Sequence, residues 1–247
     1  MDGYPGTTDW KAVSHMAGDM AKSAGLSLIR RGKALILTDG SLELAADLTS
    51  SLHRLKRSNL KKELIVRAAL GRKNTAAIHE GGTPPIAVDA TAGLGEDSLL
   101  LSAAGYAVHL YEANPVIAML LRDALERAAD TEELSGTVSR MELHFGDSIR
   151  AMQNLPFHPE IILLDPMFPA RQKSGLVKKK FQLLKLLESP CGDEEALLLS
   201  ACAARPQKIL VKRPAKGPHL AGRKPSYSVM GNTIRVDCII CDSRILS

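Results

Sequence analysis

Beyond Pro85 the chain alternates short apolar, β-branched runs with longer segments whose apolar residues recur every three to four positions. That alternation is expected of a parallel sheet wrapped by helices. Strands are predicted at 86–90, 107–112, 140–144, 161–165 and 208–211, and helices between them at 96–104, 115–129, 179–188 and 194–204. The end differs, because runs 227–230 and 233–241 are separated only by Gly231-Asn232, too short for a crossover. They are expected to pair as an antiparallel hairpin. Before Pro85 the pattern is more broken: a helix over 10–24 stops at Gly25, and short strands follow at 26–29, 34–38 and 42–46 with Arg31-Gly32 and Asp39-Gly40 as turns. Residues 50–70 are basic and permit helix, and 71–85, rich in Gly, Pro and Thr, read as a connector. The pattern gives an α/β fold: a Rossmann-like, mostly parallel sheet with a C-terminal antiparallel hairpin, over 81–247, and a small N-terminal α+β subdomain over 1–80.

Composition narrows the class. The 247 residues are 45% apolar and 24% charged, enough to bury a core and far from the disordered extreme. With 32 Lys and Arg against 27 Asp and Glu the net charge is +5, only a weak pointer to nucleic acid. Its distribution says more: acidic residues are spread out, while basic ones bunch at 54–62, 67–73, 171–180 and 212–224. One such cluster reads as a solvated helix face, but two of the four flank the motifs below. Of the four cysteines only Cys238-Ile-Ile-Cys241 has a paired spacing, and it lies in a strand-like run where the two side chains face opposite ways, so no metal is expected. No apolar run reaches the roughly 18 residues of a membrane span and no basic-then-apolar leader is present, so a cytoplasmic protein with reduced thiols is expected.

Chemistry concentrates at the predicted strand ends. Asp89-Ala-Thr-Ala-Gly93-Leu-Gly95-Glu96-Asp97 runs from a strand through a Gly-rich turn into a helix. Gly93 and Gly95 remove side chains where the backbone must turn and approach a ligand. A dinucleotide site wants a third glycine and a pyrophosphate on the helix N-terminus, but here Ser98 takes that position and Asp89, Glu96 and Asp97 would repel phosphate. Those carboxylates suit the cationic amino acid moiety of S-adenosylmethionine. Glu112-Ala113-Asn114-Pro115 ends the second strand with an acidic residue about twenty positions on, placed to accept ribose hydroxyls, while Asn114 and Pro115 suit a helix start. Asp147-Ser148 after the third strand can bond the adenine edge, or cap a helix. The fourth strand ends in Asp165-Pro166-Met-Phe168-Pro, which resembles the [DN]PP[FYW] sequence of methyltransferases that act on exocyclic amines of bases. Such an amine, its lone pair delocalised into the ring, must be held by acceptors, for which the Asp165 carboxylate and Pro166 carbonyl serve, with Phe168 stacking on the extruded base.

Taken together, Asp89 to Gly95, Glu112 to Pro115, Leu164-Asp-Pro-Met-Phe-Pro-Ala-Arg-Gln-Lys-Ser174 and Val211-Lys-Arg-Pro214 resemble the bacterial 16S ribosomal RNA guanine-N2-methyltransferase family, RsmJ type. Leu35 to Leu44 and Arg235-Val-Asp237 fit it too. The resemblance implies the class I methyltransferase fold and methyl transfer from S-adenosylmethionine to one guanosine 2-amino group, with 16S rRNA or the small ribosomal subunit as partner. It assigns donor contacts to Glu96, Asp97, Glu112, Ala113, Asp147, Ser148 and Asp165. Two departures stand out: Glu112 is followed by Ala113 where the family carries Arg, and the basic stretch after His53-Arg54 lacks the family's glycines. Arg171, Lys173, Lys178, Lys179, Lys212 and Arg213 follow the catalytic turn and the fifth strand, and are expected to bind RNA phosphates. Two other classes compete: a non-catalytic RNA-binding or ribosome-assembly protein on the same fold, and an N-methyltransferase acting on another amine. Intact Gly93, Gly95, Asp165 and Phe168 argue against the first, and the basic clusters against the second.

Overall fold

The protein is described by a computed structural model over residues 8–71, 83–166, 179–187 and 192–241. The N-terminal part comprises α1 (Trp10–Ser23), β1 (Ser27–Arg31), β2 (Ala34–Thr38), β3 (Glu43–Leu44), α2 (Leu52–Leu55), α3 (Arg57–Leu60) and α4 (Leu64–Leu70). There follow β4 (Ile86–Asp89), α5 (Glu96–Ala103), β5 (Ala107–Glu112), α6 (Pro115–Ala129), α7 (Glu132–Val138), β6 (Met141–Phe145), α8 (Ser148–Met152) and β7 (Ile161–Leu164). The chain ends with α9 (Lys179–Lys185), α10 (Glu194–Ala203), β8 (Lys208–Pro214), β9 (Tyr227–Met230) and β10 (Ile234–Ile240).

Seven strands form one sheet in the order β6-β5-β4-β7-β8-β10-β9, and β1-β2-β3 form a separate antiparallel sheet. The first five strands of the large sheet run parallel, and β10 enters antiparallel between β8 and β9. All four residues of β7 are buried, as a central parallel strand covered on both faces requires. The hairpin link is one residue longer than expected, since β10 starts at Ile234 and Ile234 C=O accepts from Gly231 N–H at 2.9 Å. Among the described residues no helix is long and apolar enough to cross a membrane.

Helix starts follow local chemistry. Asn114 caps α6, its side chain accepting from Val116 and Ile117 N–H with Pro115 in the first turn. Glu96 and Asp97 occupy the first turn of α5, where carboxylates favour the positive end of the helix dipole. The basic stretch 50–70 is not one helix. Extended backbone at Lys56 and Glu63 divides it into α2, α3 and α4, and the bend lets Arg54 grip Glu63 at 3.0 and 2.8 Å.

The N-terminal elements share a core with the large sheet's helices: Ala17, Leu37 and Leu44 pack in one cluster with Val116, Leu120 and Leu134. Asp123 of α6, 3% exposed, joins the two parts by accepting from Leu35 N–H, Arg30 and Arg127. At the far edge a buried polar knot secures the hairpin. Arg235 pairs with Asp237 through Nε and Nη2, and its Nη1 donates to the Pro214, Ala215 and Gly217 carbonyls. Asp237 also accepts from Ser228 and pairs with His219.

Candidate active site

Parallel pairing aligns the carboxyl ends of β4, β5, β6 and β7 on one edge of the sheet, with Asp89 beside Leu110 and Leu163 and Glu112 beside Phe145. Open α/β sheets bind ligands there. The turn after β4 is left-handed at Gly93 (φ +54) and Gly95 (φ +78). A methyl on Gly93 would meet only the Thr91 carbonyl oxygen at 4.0 Å, whereas one on Gly95 would sit 2.6 Å from Leu121 Cδ1 in the core. Gly95→Ala is therefore expected to cost about 2–4 kcal/mol, backbone strain plus overpacking, and Gly93→Ala about 1–2 kcal/mol. Chemical denaturation of both variants checks the order.

Asp89 lies beneath this turn, 2% exposed, where its carboxylate accepts from Thr91 N–H at 3.1 Å and the Ser98 hydroxyl at 2.5 Å. It organises the turn from below and does not line the cleft described next. Burial pushes its carboxyl up to about 7 against these two hydrogen bonds. A carboxyl raised on folding stabilises fully below its unfolded value, and the contribution is lost as pH rises through the folded one. The stability advantage of wild type over Asp89→Asn is thus expected to shrink between about pH 4 and pH 7. Denaturation midpoints across that window test this, and a constant difference would contradict it.

Above the turn a cleft of about 500 Å³ is lined by Thr91, Gly93, Glu112, Asp147, Asp165 and Pro166, with Tyr111, Ala113, Asn114 and Ser148 among the remaining wall residues. Glu112 ties two strand ends together: Oε2 accepts from Gly93 N–H at 2.9 Å and Oε1 from Asn114 N–H at 2.8 Å. A carboxylate offers about four acceptor sites, so lone pairs remain for two hydroxyl groups. Burial raises its carboxyl against those backbone donors. Asp147 caps α8 through Ile149 N–H and also lines the cleft.

Asp165 closes the cleft at the end of β7. Its backbone N–H donates to the Thr91 hydroxyl at 2.7 Å, fixing the turn, and its Oδ2 meets Lys212 Nζ at 2.8 Å. The same Nζ contacts Asp97 Oδ2 at 2.7 Å. Burial alone would depress Lys212, but the two carboxylates hold it firmly protonated. Asp97 and Lys212 also line a second pocket, of about 330 Å³, with His53, Arg54, Asn59 and Lys62. The Asp97–Lys212–Asp165 chain thus joins an acidic cleft to a basic pocket.

Besides Asp89 and Gly95, neither of which lines the cleft, three further placements differ from the sequence expectation. Arg213 is 1% exposed, donates to Glu194 and the Pro218 carbonyl, and has no surface to offer a phosphate. Lys212 is occupied by Asp97 and Asp165. Glu96 and Asp97 lie away from the cleft walls, on Arg54 and Lys212. Phe168, Arg171, Lys173 and Lys178 fall outside the described residues, as does the side chain of Lys179. Sequence reasoning missed Thr91 and Tyr111. Thr91 sits between the glycines and Asp89 and was the readable one.

Residues 20–240 match the family model described as "Putative SAM-dependent methyltransferase". The chain belongs to this family of SAM-dependent methyltransferases. The residues of the acidic cleft fit the family's cofactor, S-adenosylmethionine, in chemistry: its walls bring the carboxylates of Glu112, Asp147 and Asp165 together beside the Gly93 turn, and the donor is cationic and carries ribose hydroxyls. A relative from Thioalkalivibrio sulfidiphilus, "Ribosomal RNA small subunit methyltransferase J", is 41% identical over 191 residues, 76% of this chain and 71% of that one. A Pseudomonas fluorescens protein of the same name is 44% identical over 157 residues, covering 63% of this chain and 60% of the relative. The crystal structure of a SAM-dependent methyltransferase from Neisseria gonorrhoeae superposes with a TM-score of 0.71 at 28% identity, over 100% of this chain and 97% of that one.

Proposed function

We propose that the protein transfers the methyl group of S-adenosylmethionine to the exocyclic 2-amino group of a guanosine in 16S ribosomal RNA, as part of cytoplasmic ribosome maturation. The observation that carries this reading is Asp165, which lines the acidic cleft while pairing with Lys212 of the adjoining basic pocket. A target amine entering from the basic side meets the Asp165 carboxylate and the Pro166 carbonyl at the cleft wall. When bound, the donor supplies an electrophilic methyl on its sulfonium. Asp165 and Pro166 accept the amine's two hydrogens and aim its nitrogen, which matters because a lone pair spread into the purine ring is a poor nucleophile. Lys212 keeps the carboxylate from rotating away, and Thr91 holds the backbone on which it stands. Phe168 two residues on would supply the stacking surface for the extruded base. The relatives' names, which specify small-subunit ribosomal RNA, support the substrate class.

RNA phosphates are assigned to Lys62, which lines the basic pocket, together with Arg171, Lys173, Lys178 and Lys179. Binding should fall by about 0.7–0.9 log units per log unit of salt for each phosphate neutralised, and Lys62→Ala should lower that slope by roughly one phosphate. Filter binding over a salt series reads both, and an unchanged slope removes Lys62 from the interface. The activity itself is tested with donor carrying a labelled methyl and small-subunit particles from cells lacking the protein. Label recovered in N2-methylguanosine supports the proposal; label in another nucleoside, or none in RNA, refutes it.

A further inference from the structure

Away from the cleft, at the outer edge of the large sheet, His109 on β5 stands directly across from Glu142 on the edge strand β6, and His144 lies two residues along β6 from Glu142. Residues two apart in a strand share a face, so all three side chains project from the same side of the sheet. Their donor atoms converge: His109 Nδ1 is 3.0 Å from His144 Nε2 and 3.5 Å from Glu142 Oε2, and His144 Nε2 is 3.7 Å from Glu142 Oε1. Tetrahedral coordination with metal–ligand bonds of about 2.0–2.1 Å separates neighbouring ligand atoms by about 3.3 Å. The observed separations bracket that value.

We propose that His109, His144 and Glu142 bind one divalent transition-metal ion, with Zn²⁺ the best fit. Two imidazoles and one carboxylate suit Zn²⁺ over the oxygen-seeking Mg²⁺ or Ca²⁺. The histidines are mostly shielded, with side chains 15% and 9% exposed, while Glu142 at 65% opens the fourth position to water. Aromatic packing already fixes the rings: Phe157 lies 4.5 Å from His109 and Tyr111 4.8 Å from His144, centroid to centroid. Tyr111 also lines the donor cleft, so the ion would pin the edge strand to its neighbour directly beneath the wall that carries Glu112 and Asp147. The site is independent of the substrate assignment above and stands if that assignment fails.

The test uses the full chain stripped with a chelator and titrated calorimetrically with ZnCl₂. One ion per chain is expected from this site, with the thermal midpoint raised by about 5–10 °C at a hundredfold excess over the dissociation constant. Glu142→Gln, on an exposed side chain that the fold does not need, should weaken binding about tenfold or more, and His109→Ala should abolish it. Co²⁺ in place of Zn²⁺ should give a tetrahedral d–d spectrum without a thiolate charge-transfer band. Failure of wild type to take up Zn²⁺, equal affinity in Glu142→Gln and His109→Ala, or a thiolate band pointing to the cysteines would each overturn the proposal.

Discussion

Asp165→Asn is expected to slow single-turnover methylation about 100- to 1,000-fold, the cost of one hydrogen-bonding contact that strengthens as charge develops in the transition state. Asparagine keeps the size and one acceptor oxygen, so the loss isolates the charge. The cleft should survive, because Lys212 retains Asp97 at 2.7 Å and the turn retains the Thr91 bond to the residue-165 backbone. Donor affinity should accordingly change by only a few fold. Wild-type turnover in the variant would make the turn purely structural, and complete loss of donor binding would place the residue's role in the cofactor site.

Asp237→Ala carries the largest expected effect on stability. Asp237 is 3% exposed and Arg235 5%, so removing the carboxylate strands a guanidinium in the protein interior. Breaking one side of a buried pair costs about 3–5 kcal/mol, which lowers the midpoint of a chain this size by roughly 6–20 °C. Replacing the pair together, Arg235→Met with Asp237→Leu, should recover much of that, since the cost lies in the unpaired charge. Burial alone would raise the Asp237 carboxyl, but Arg235, Ser228 and His219 pull it below the ordinary range. Its contribution is therefore present above the unfolded carboxylate value and lost as pH falls through the folded one. Thermal scans of both variants from neutral to acid pH test magnitude and sign.

The sheet was legible because buried parallel strands write themselves as short, mostly apolar runs, and the 86–90, 107–112 and 161–165 runs became β4, β5 and β7 within a residue. The Gly-rich turn and the Asn114 cap were legible because each rests on local backbone chemistry. Helices α7 and α8 were not. Gly136 and Thr137 weaken the first, and five residues carry too little period to show the second. Charge pairing was hidden as well: Lys212 reads as one of a basic cluster, yet its partners lie 115 residues back at Asp97 and at Asp165. Arg213 beside it is buried because alternate residues of β8 face opposite sides of the sheet, which cluster counting ignores. The imidazole pair of His109 and His144, 35 residues apart, needs the β5–β6 register to be seen at all.

The central claim, methylation of a small-subunit guanosine at its 2-amino group through the Asp165 turn, is tested most directly in cells. Nucleoside mass mapping of 16S rRNA would compare cells lacking the protein, the same cells carrying the wild-type chain, and cells carrying Asp165→Asn at equal abundance. One N2-methylguanosine is expected to vanish on deletion, return with wild type, and stay largely absent with Asp165→Asn. A modification profile identical in all three would contradict it.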